Sequence, residues 1–351
     1  MKRTSKILAL LLVVAMFATL TAGCSSKDAD VGGGTDAGDA EEFKERTFKI
    51  GHIRPENSDA DNNVKFLKEE LSKNSNGKMN LEIYPASQLG DYTVVQERVG
   101  IGDVEMQIAP LGTGMDKAFG ISNAPYVVEN WAQAKEVFSS DGKLVKTMGE
   151  LLEKYDIKLL GTYPLYFGGI ALVEEPPSPA DPNVPKNIKI RVPPMKSFEA
   201  TADSLGYIST PLPWADTFTS MQTGIVDGAI GAGAEGYYSN FKDLIKYYLP
   251  LNDHFEMWYL YINKGVWDDL SPAEQKALQD AATALEEKRF AEAEGEEKGY
   301  EDKLREAGVE VIEFSDEELK AFAEKCREEV WPVVKDDFGA ELFDEITQGI
   351  N

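Results

Sequence analysis

Cysteine and histidine are nearly absent from this chain of 351 residues, which has two of each. Cys24 lies close to the N-terminus, so the body carries one thiol, Cys326, and no internal disulfide is available to it. With only His52 and His254 to join that thiol, a structural zinc cluster is excluded, and no metal or other cofactor is expected. Positive charge is scarce: 36 Lys and Arg stand against 61 Asp and Glu, for a net charge of −25. Such a body is repelled by nucleic acid and by anionic lipid faces. Nucleotide and nucleophile signatures are missing too. Gly112-Thr113-Gly114 has no third glycine at dinucleotide spacing, and there is neither a phosphate-loop lysine nor a G-x-S-x-G elbow. With 61 carboxylates, paired acids carry no information by number alone, so glycoside hydrolysis has no specific support. No catalytic signature stands out, and the chain is not expected to be an enzyme.

Long apolar runs are lacking beyond the first twenty residues, and no later segment can span a bilayer. Met1, Lys2, Arg3 and Lys6 form a basic start, and the apolar run from Ile7 to Leu20 is short for a membrane helix. Leu20-Thr21-Ala22-Gly23-Cys24 resembles the lipobox of bacterial lipoproteins. Residues 1–23 are therefore expected to be a signal peptide, with Cys24 lipidated and the chain held on the extracytoplasmic face of the cell membrane (in a periplasm, if the organism has one). An ordinary secretory signal with an incidental cysteine is the alternative. Residues 24–44 are poor in groups to bury and read as a flexible tether. Removing residues 1–23 takes away three basic side chains and no acidic ones, so the net charge falls from −25 to −28.

From Thr47 onward short β patterns alternate with longer helical ones. Strands are expected at 47–53, 79–84, 105–109, 157–162, 169–173, 188–192, 226–230, 258–263 and 309–314. Helices are expected at 60–73, 131–155 and 214–222. This alternation implies an α/β fold with parallel sheets covered on both faces. Ser271-Pro272-Ala273-Glu274 combines an N-cap serine, a proline in the first turn and a capping glutamate. The helix it opens should run to about Glu306, roughly 50 Å. Either Gly295 and Gly299 bend that helix or it braces two domains. Ser315-Asp316-Glu317-Glu318 is a second capping box, opening the helix that carries Cys326, and Pro332 should kink or end it.

Arg191 ends the apolar strand Ile188-Lys189-Ile190-Arg191-Val192 and is followed by two prolines. Strand ends in α/β domains point at the cleft, and a guanidinium offers a planar fork to a carboxylate. Arg54, just past the first strand, is a second candidate cation, with surface pairing to Glu56 or Asp59 as its alternative. Tyr163, Phe167 and Trp214 are candidates to wall a pocket around the apolar part of a solute. Glu235, in the glycine-rich stretch, and Asn263, at the end of a strand, complete the set. A carboxylate at 235 repels an anion unless it meets a hydroxyl, an amine or a metal ion. The dense glycines at 224, 228, 231, 233 and 236 should let backbone approach a ligand or a domain boundary.

Several stretches together resemble the solute-binding component of tripartite ATP-independent periplasmic (TRAP) transporters, the dicarboxylate-binding DctP-like family. They include Phe48-Lys49-Ile50-Gly51-His52, Tyr84-Pro85-Ala86-Ser87-Gln88-Leu89-Gly90 and Lys189-Ile190-Arg191-Val192-Pro193. Met221-Gln222-Thr223-Gly224-Ile225-Val226-Asp227-Gly228 and Trp267-Asp268-Asp269-Leu270-Ser271 continue the likeness. The resemblance implies a two-domain clamp with a long helix spanning both parts. Domain one would hold residues 45–168 and 257–296, and domain two residues 169–256 and 297–351. It also implies that Arg191 pairs with a ligand carboxylate. The family's frequent second arginine, some twenty residues earlier, is missing where this chain reads Gly168-Gly169-Ile170-Ala171. The implied partners are a small organic anion (a monocarboxylate, hydroxylated or aromatic, or a sulfonate) and the membrane subunits of a permease. Signalling to a membrane receptor is the alternative role.

Overall fold

The computed structural model describes residues 43–348 and 350. Cys24, the signal peptide and the tether up to Glu42 lie outside the described residues. Among the described residues no helix is long and apolar enough to cross a membrane.

Eleven strands are described in chain order: β1 (Arg46–Gly51), β2 (Met79–Tyr84), β3 (Met106–Ala109), β4 (Ile157–Phe167), β5 (Gly169–Leu172) and β6 (Lys189–Val192). They continue with β7 (Ile208–Pro211), β8 (Gly228–Ala232), β9 (Tyr247–Leu249), β10 (Phe255–Asn263) and β11 (Glu310–Val311). Two sheets result, ordered β2-β1-β3-β10-β4 and β11-β9-β5-β8-β6-β7. Each is the floor of one α/β lobe, and together the lobes form a two-domain clamp. The expectation of parallel sheets needs correction. β10 runs antiparallel to β3 and β4, and β5 runs antiparallel to β8 and β9. Both departures involve strands at the points where the chain passes between lobes, at Phe167–Gly169 and again between Leu249 and Phe255. β10 is buried along all nine residues, as an interior strand covered on both faces requires.

The two crossing segments touch: the Gly168 N–H donates to the His254 carbonyl at 2.8 Å. A Cβ on Gly168 would lie 2.1 Å from the His254 ring, so this position must be glycine while that imidazole is in place. This explains physically why no arginine or other side chain stands at the Gly168 end of that stretch.

The helix Pro272–Glu306 is one element of 35 residues, opened by the reciprocal Ser271–Glu274 capping box. Gly295 and Gly299 have no neighbour within 4 Å of an added Cβ, so no close packing calls for glycine there. At 1.5 Å per residue the helix is about 52 Å long. Gln279 Nε2 donates to the Leu160 carbonyl on β4, and Lys288 Nζ donates to Asn63 Oδ1 on the first helix. Further along, Tyr300 packs 6.1 Å from Tyr238 of the other lobe. The helix therefore braces both lobes. The region expected as one helix over 131–155 is two, Trp131–Phe138 and Lys143–Glu153. Ser139 and Gly142 have extended backbone at the break. Pro332 starts a new helix, Trp331–Phe338, after Asp316–Glu329 has ended, and Cys326 is fully buried.

Candidate functional site

β6 delivers Arg191 between parallel neighbours, opposite Thr210 of β7 and Ala229 of β8. Its guanidinium is 1 % exposed, donating from Nε to the Leu212 carbonyl at 2.9 Å and from Nη1 to the Ile230 carbonyl at 3.4 Å. Nη2 is buried and finds no acceptor among the described residues. Burial holds the pKa of Arg191 below the ordinary arginine value; the phenols of Tyr92 and Tyr237 and then the Asp91 carboxylate act on it electrostatically, and among the described residues no carboxylate touches it. An arginine so placed is short of one anion.

Arg54 arrives from the other lobe, three residues past β1, and is fully buried. Its Nε donates to Glu235 Oε2 and its Nη2 to Glu256 Oε1, both at 2.7 Å. Burial opposes its charge, but the Glu235 and Glu256 carboxylates overcome that and raise its pKa. The expected alternative, surface pairing with Glu56 or Asp59, is corrected by this geometry. Glu235 lies on the helix Ala234–Phe241 of the second lobe, whereas Glu256 lies on β10 of the first. The Gly233 N–H, at the start of the Glu235 helix, donates to Glu256 Oε2 at 3.0 Å. These hydrogen bonds tie the lobes together. Glycine at 236 makes room for it: an added Cβ would stand 2.5 Å from Arg54 Nη2.

Trp214 joins the two cations. It opens the helix Trp214–Gln222, and its ring centroid lies 5.1 Å from the Arg54 guanidinium carbon and 5.4 Å from that of Arg191. Trp258 takes a further face of Arg54 at 5.0 Å. Between these groups is a cavity of about 20 Å³, room for about one water. Arg54, Arg191, Asn123 and Glu256 supply its polar wall, and Ile53, Tyr92, Met195, Phe198 and Trp214 much of its apolar one. Larger hollows of about 370 and 390 Å³ border the helices Trp131–Phe138 and Lys143–Glu153 and have no buried arginine in their walls.

The structure thus brings Arg54, Arg191 and Trp214 to the cavity, with Glu235 outside its wall and paired to Arg54. Three other expected contacts stand apart from the cavity. Asn263 is seven residues along β10 from Glu256, about 23 Å at strand rise. Its amide donates to the Val99 carbonyl and its oxygen caps the helix after β10. Phe167 packs edge-on against Trp131 and Phe255 in the crossing region. Tyr163 hydrogen-bonds Asn63 and lies 5.7 Å from Trp258, one layer behind Arg54. Glu256, Tyr92, Asn123 and Phe198 were not singled out from the sequence. Only Glu256 had a usable signal, as a carboxylate in the apolar stretch Phe255–Ile262.

The comparisons with known proteins agree with this architecture. A sugar-acid-binding protein from Advenella mimigardefordensis, solved with galactonate, superposes with a TM-score of 0.78 at 23% identity, covering 87% of this chain and 97% of that one. A TRAP periplasmic solute-binding protein from Sulfurospirillum deleyianum, solved with bound succinate, gives a TM-score of 0.78 at 17% identity, covering 88% and 100%. A solute-binding protein of Roseobacter denitrificans is 28% identical over 310 residues, 84% of this chain and 91% of that relative. Residues 50–336 match the family of bacterial extracellular solute-binding proteins, family 7. The protein belongs to that family, the DctP solute-binding proteins of TRAP transporters, and is a binding protein and not an enzyme.

Proposed function

We propose that the cleft captures a small hydroxylated monocarboxylate and delivers it to a TRAP-type permease. The observation that carries this is the Arg191 guanidinium, buried with no ion pair and no acceptor for Nη2 among the described residues. A ligand carboxylate supplies that acceptor and the missing charge in one step, in the bidentate geometry that a guanidinium favours. Arg54 Nη1, also buried and without an acceptor among the described residues, supplies a donor from the opposite lobe. Trp214, between the two cations, provides the face for the carbon chain. Galactonate and succinate on this fold support an organic acid as the ligand class. The charge balance of this chain favours a single carboxylate.

A cavity of about 20 Å³ is too small for such a solute, so the lobes part to admit it and close with it inside. Closure then draws on ligand contacts made from both sides. Cys24, lipidated, would keep the protein beside the permease. Calorimetric titration with four- to six-carbon aldonates, aromatic acids, sulfonates and neutral sugars tests the reading. Saturable binding of an aldonate is expected, and binding of neutral sugars alone would overturn it.

A further inference from the structure

Glu256 has no part in the anion contact just proposed, yet it is 3% exposed and lines the same cavity as Arg191. Its carboxylate accepts from Arg54 Nη2 at 2.7 Å, from Trp258 Nε1 at 3.2 Å and from the Gly233 N–H at 3.0 Å. An ionised carboxylate has about four acceptor sites, so three donors leave room for one more. Arg54 faces two carboxylates, Glu235 and Glu256, and one cation cannot balance both. The Arg54 end of the cavity therefore carries an excess of negative charge, while the Arg191 end carries an unmatched positive one.

We propose that Glu256 is the residue that sets charge selectivity, restricting the cleft to acids with one carboxylate and offering its free acceptor site to a ligand hydroxyl. The inference rests on the reading of Arg191 as the carboxylate anchor. A second carboxylate on the ligand meets the over-anionic end in a closed, poorly solvated space, where like charges repel strongly. A hydroxyl at the same place donates to Glu256 and is favoured. The succinate-bound relative has the same fold, so on this account the exclusion comes from this chain's side chains and not from the architecture.

The test takes the aldonate that binds tightest, the aldarate of the same sugar, and the half-amide of that aldarate. The half-amide keeps the aldarate's shape with one charge fewer. In the parent protein the aldarate is expected to bind at least tenfold more weakly than the aldonate, and the half-amide within threefold of it. Glu256→Gln is expected to narrow the aldonate-to-aldarate ratio at least fivefold. A purely structural role for Glu256 would weaken both acids alike and leave the ratio unchanged, which overturns the proposal. So does an aldarate that binds the parent as tightly as the aldonate, or a half-amide no better than the dianion. If Glu256→Gln fails to fold by circular dichroism, the half-amide in the parent protein decides. If no aldonate binds, the proposed anion capture fails, and the inference fails with it.

Discussion

Arg54→Ala removes the one cation of a buried three-membered network and leaves Glu235 and Glu256 facing each other across the lobes. Both ion pairs are 2.7 Å long, with the Arg54 side chain fully buried and the carboxylates 2% and 4% exposed. Breaking a buried pair from one side costs about 3–5 kcal/mol, because the remaining charge is stranded. Surface pairing would be worth about 1 kcal/mol or less. With a urea m-value of about 3 kcal/mol/M, the loss lowers the unfolding midpoint by roughly 1 to 1.7 M. Circular dichroism in a urea series measures it. Adding Glu235→Gln and Glu256→Gln to the variant should recover much of the loss, since removing a whole buried ion cluster is far cheaper than breaking it. A midpoint within about 0.2 M of the parent would refute the reasoning, as would a triple variant no more stable than the single one.

Arg191→Ala should behave oppositely. Its ligand affinity should fall several hundred-fold to several thousand-fold, following a loss of about 3–5 kcal/mol. The melting temperature without ligand should hold or rise, because no acid is left unpaired; titration and thermal melting check both. Arg191→Lys should recover part of the affinity only, since an ammonium lacks the fork. Gly236→Ala should weaken binding more than tenfold and loosen the lobes, read by titration and solution scattering, although alanine alone favours a helix by about 1 kcal/mol. The cause is the 2.5 Å approach of the new Cβ to Arg54 Nη2. Glu297, half-buried on the long helix, accepts from the Trp131 indole and the Phe167 N–H, and burial pushes its carboxyl up to about 7, with Glu301 and Glu294 adding to the effect. The folded state thus holds this proton to higher pH than the unfolded chain, and the group's contribution declines between about pH 4.5 and 7. Melting curves at pH 5 and pH 8 should show the parent losing more stability on that rise than Glu297→Gln.

Local signals in the chain determined its regular elements. Val64, Leu67 and Leu71 repeat at helical spacing and are all buried in the helix Asp59–Asn74. Ser271–Glu274 and Ser315–Glu318 mark two helix starts as reciprocal caps, and Met79–Tyr84 and Trp214–Gln222 keep the limits that their patterns give. These features depend on neighbours within a few residues, so the sequence states them directly. Arg191 at a strand end was legible for the same reason. Short strands carry too few residues to show a period, which is why β7 and β9 were not anticipated. The antiparallel course of β5 and β10 follows from where the chain crosses between lobes, which no local period records. Glu256 needed the tertiary structure most. Its carboxylate meets Arg54 across 202 positions in sequence, and Glu235 meets the same arginine across 181. Among 61 acidic residues the sequence marks Glu235 by its glycine-rich surroundings and Glu256 by its apolar strand, but it does not say that the two share one arginine. Only folding, which removes them from water and seats them against one cation, brings them together.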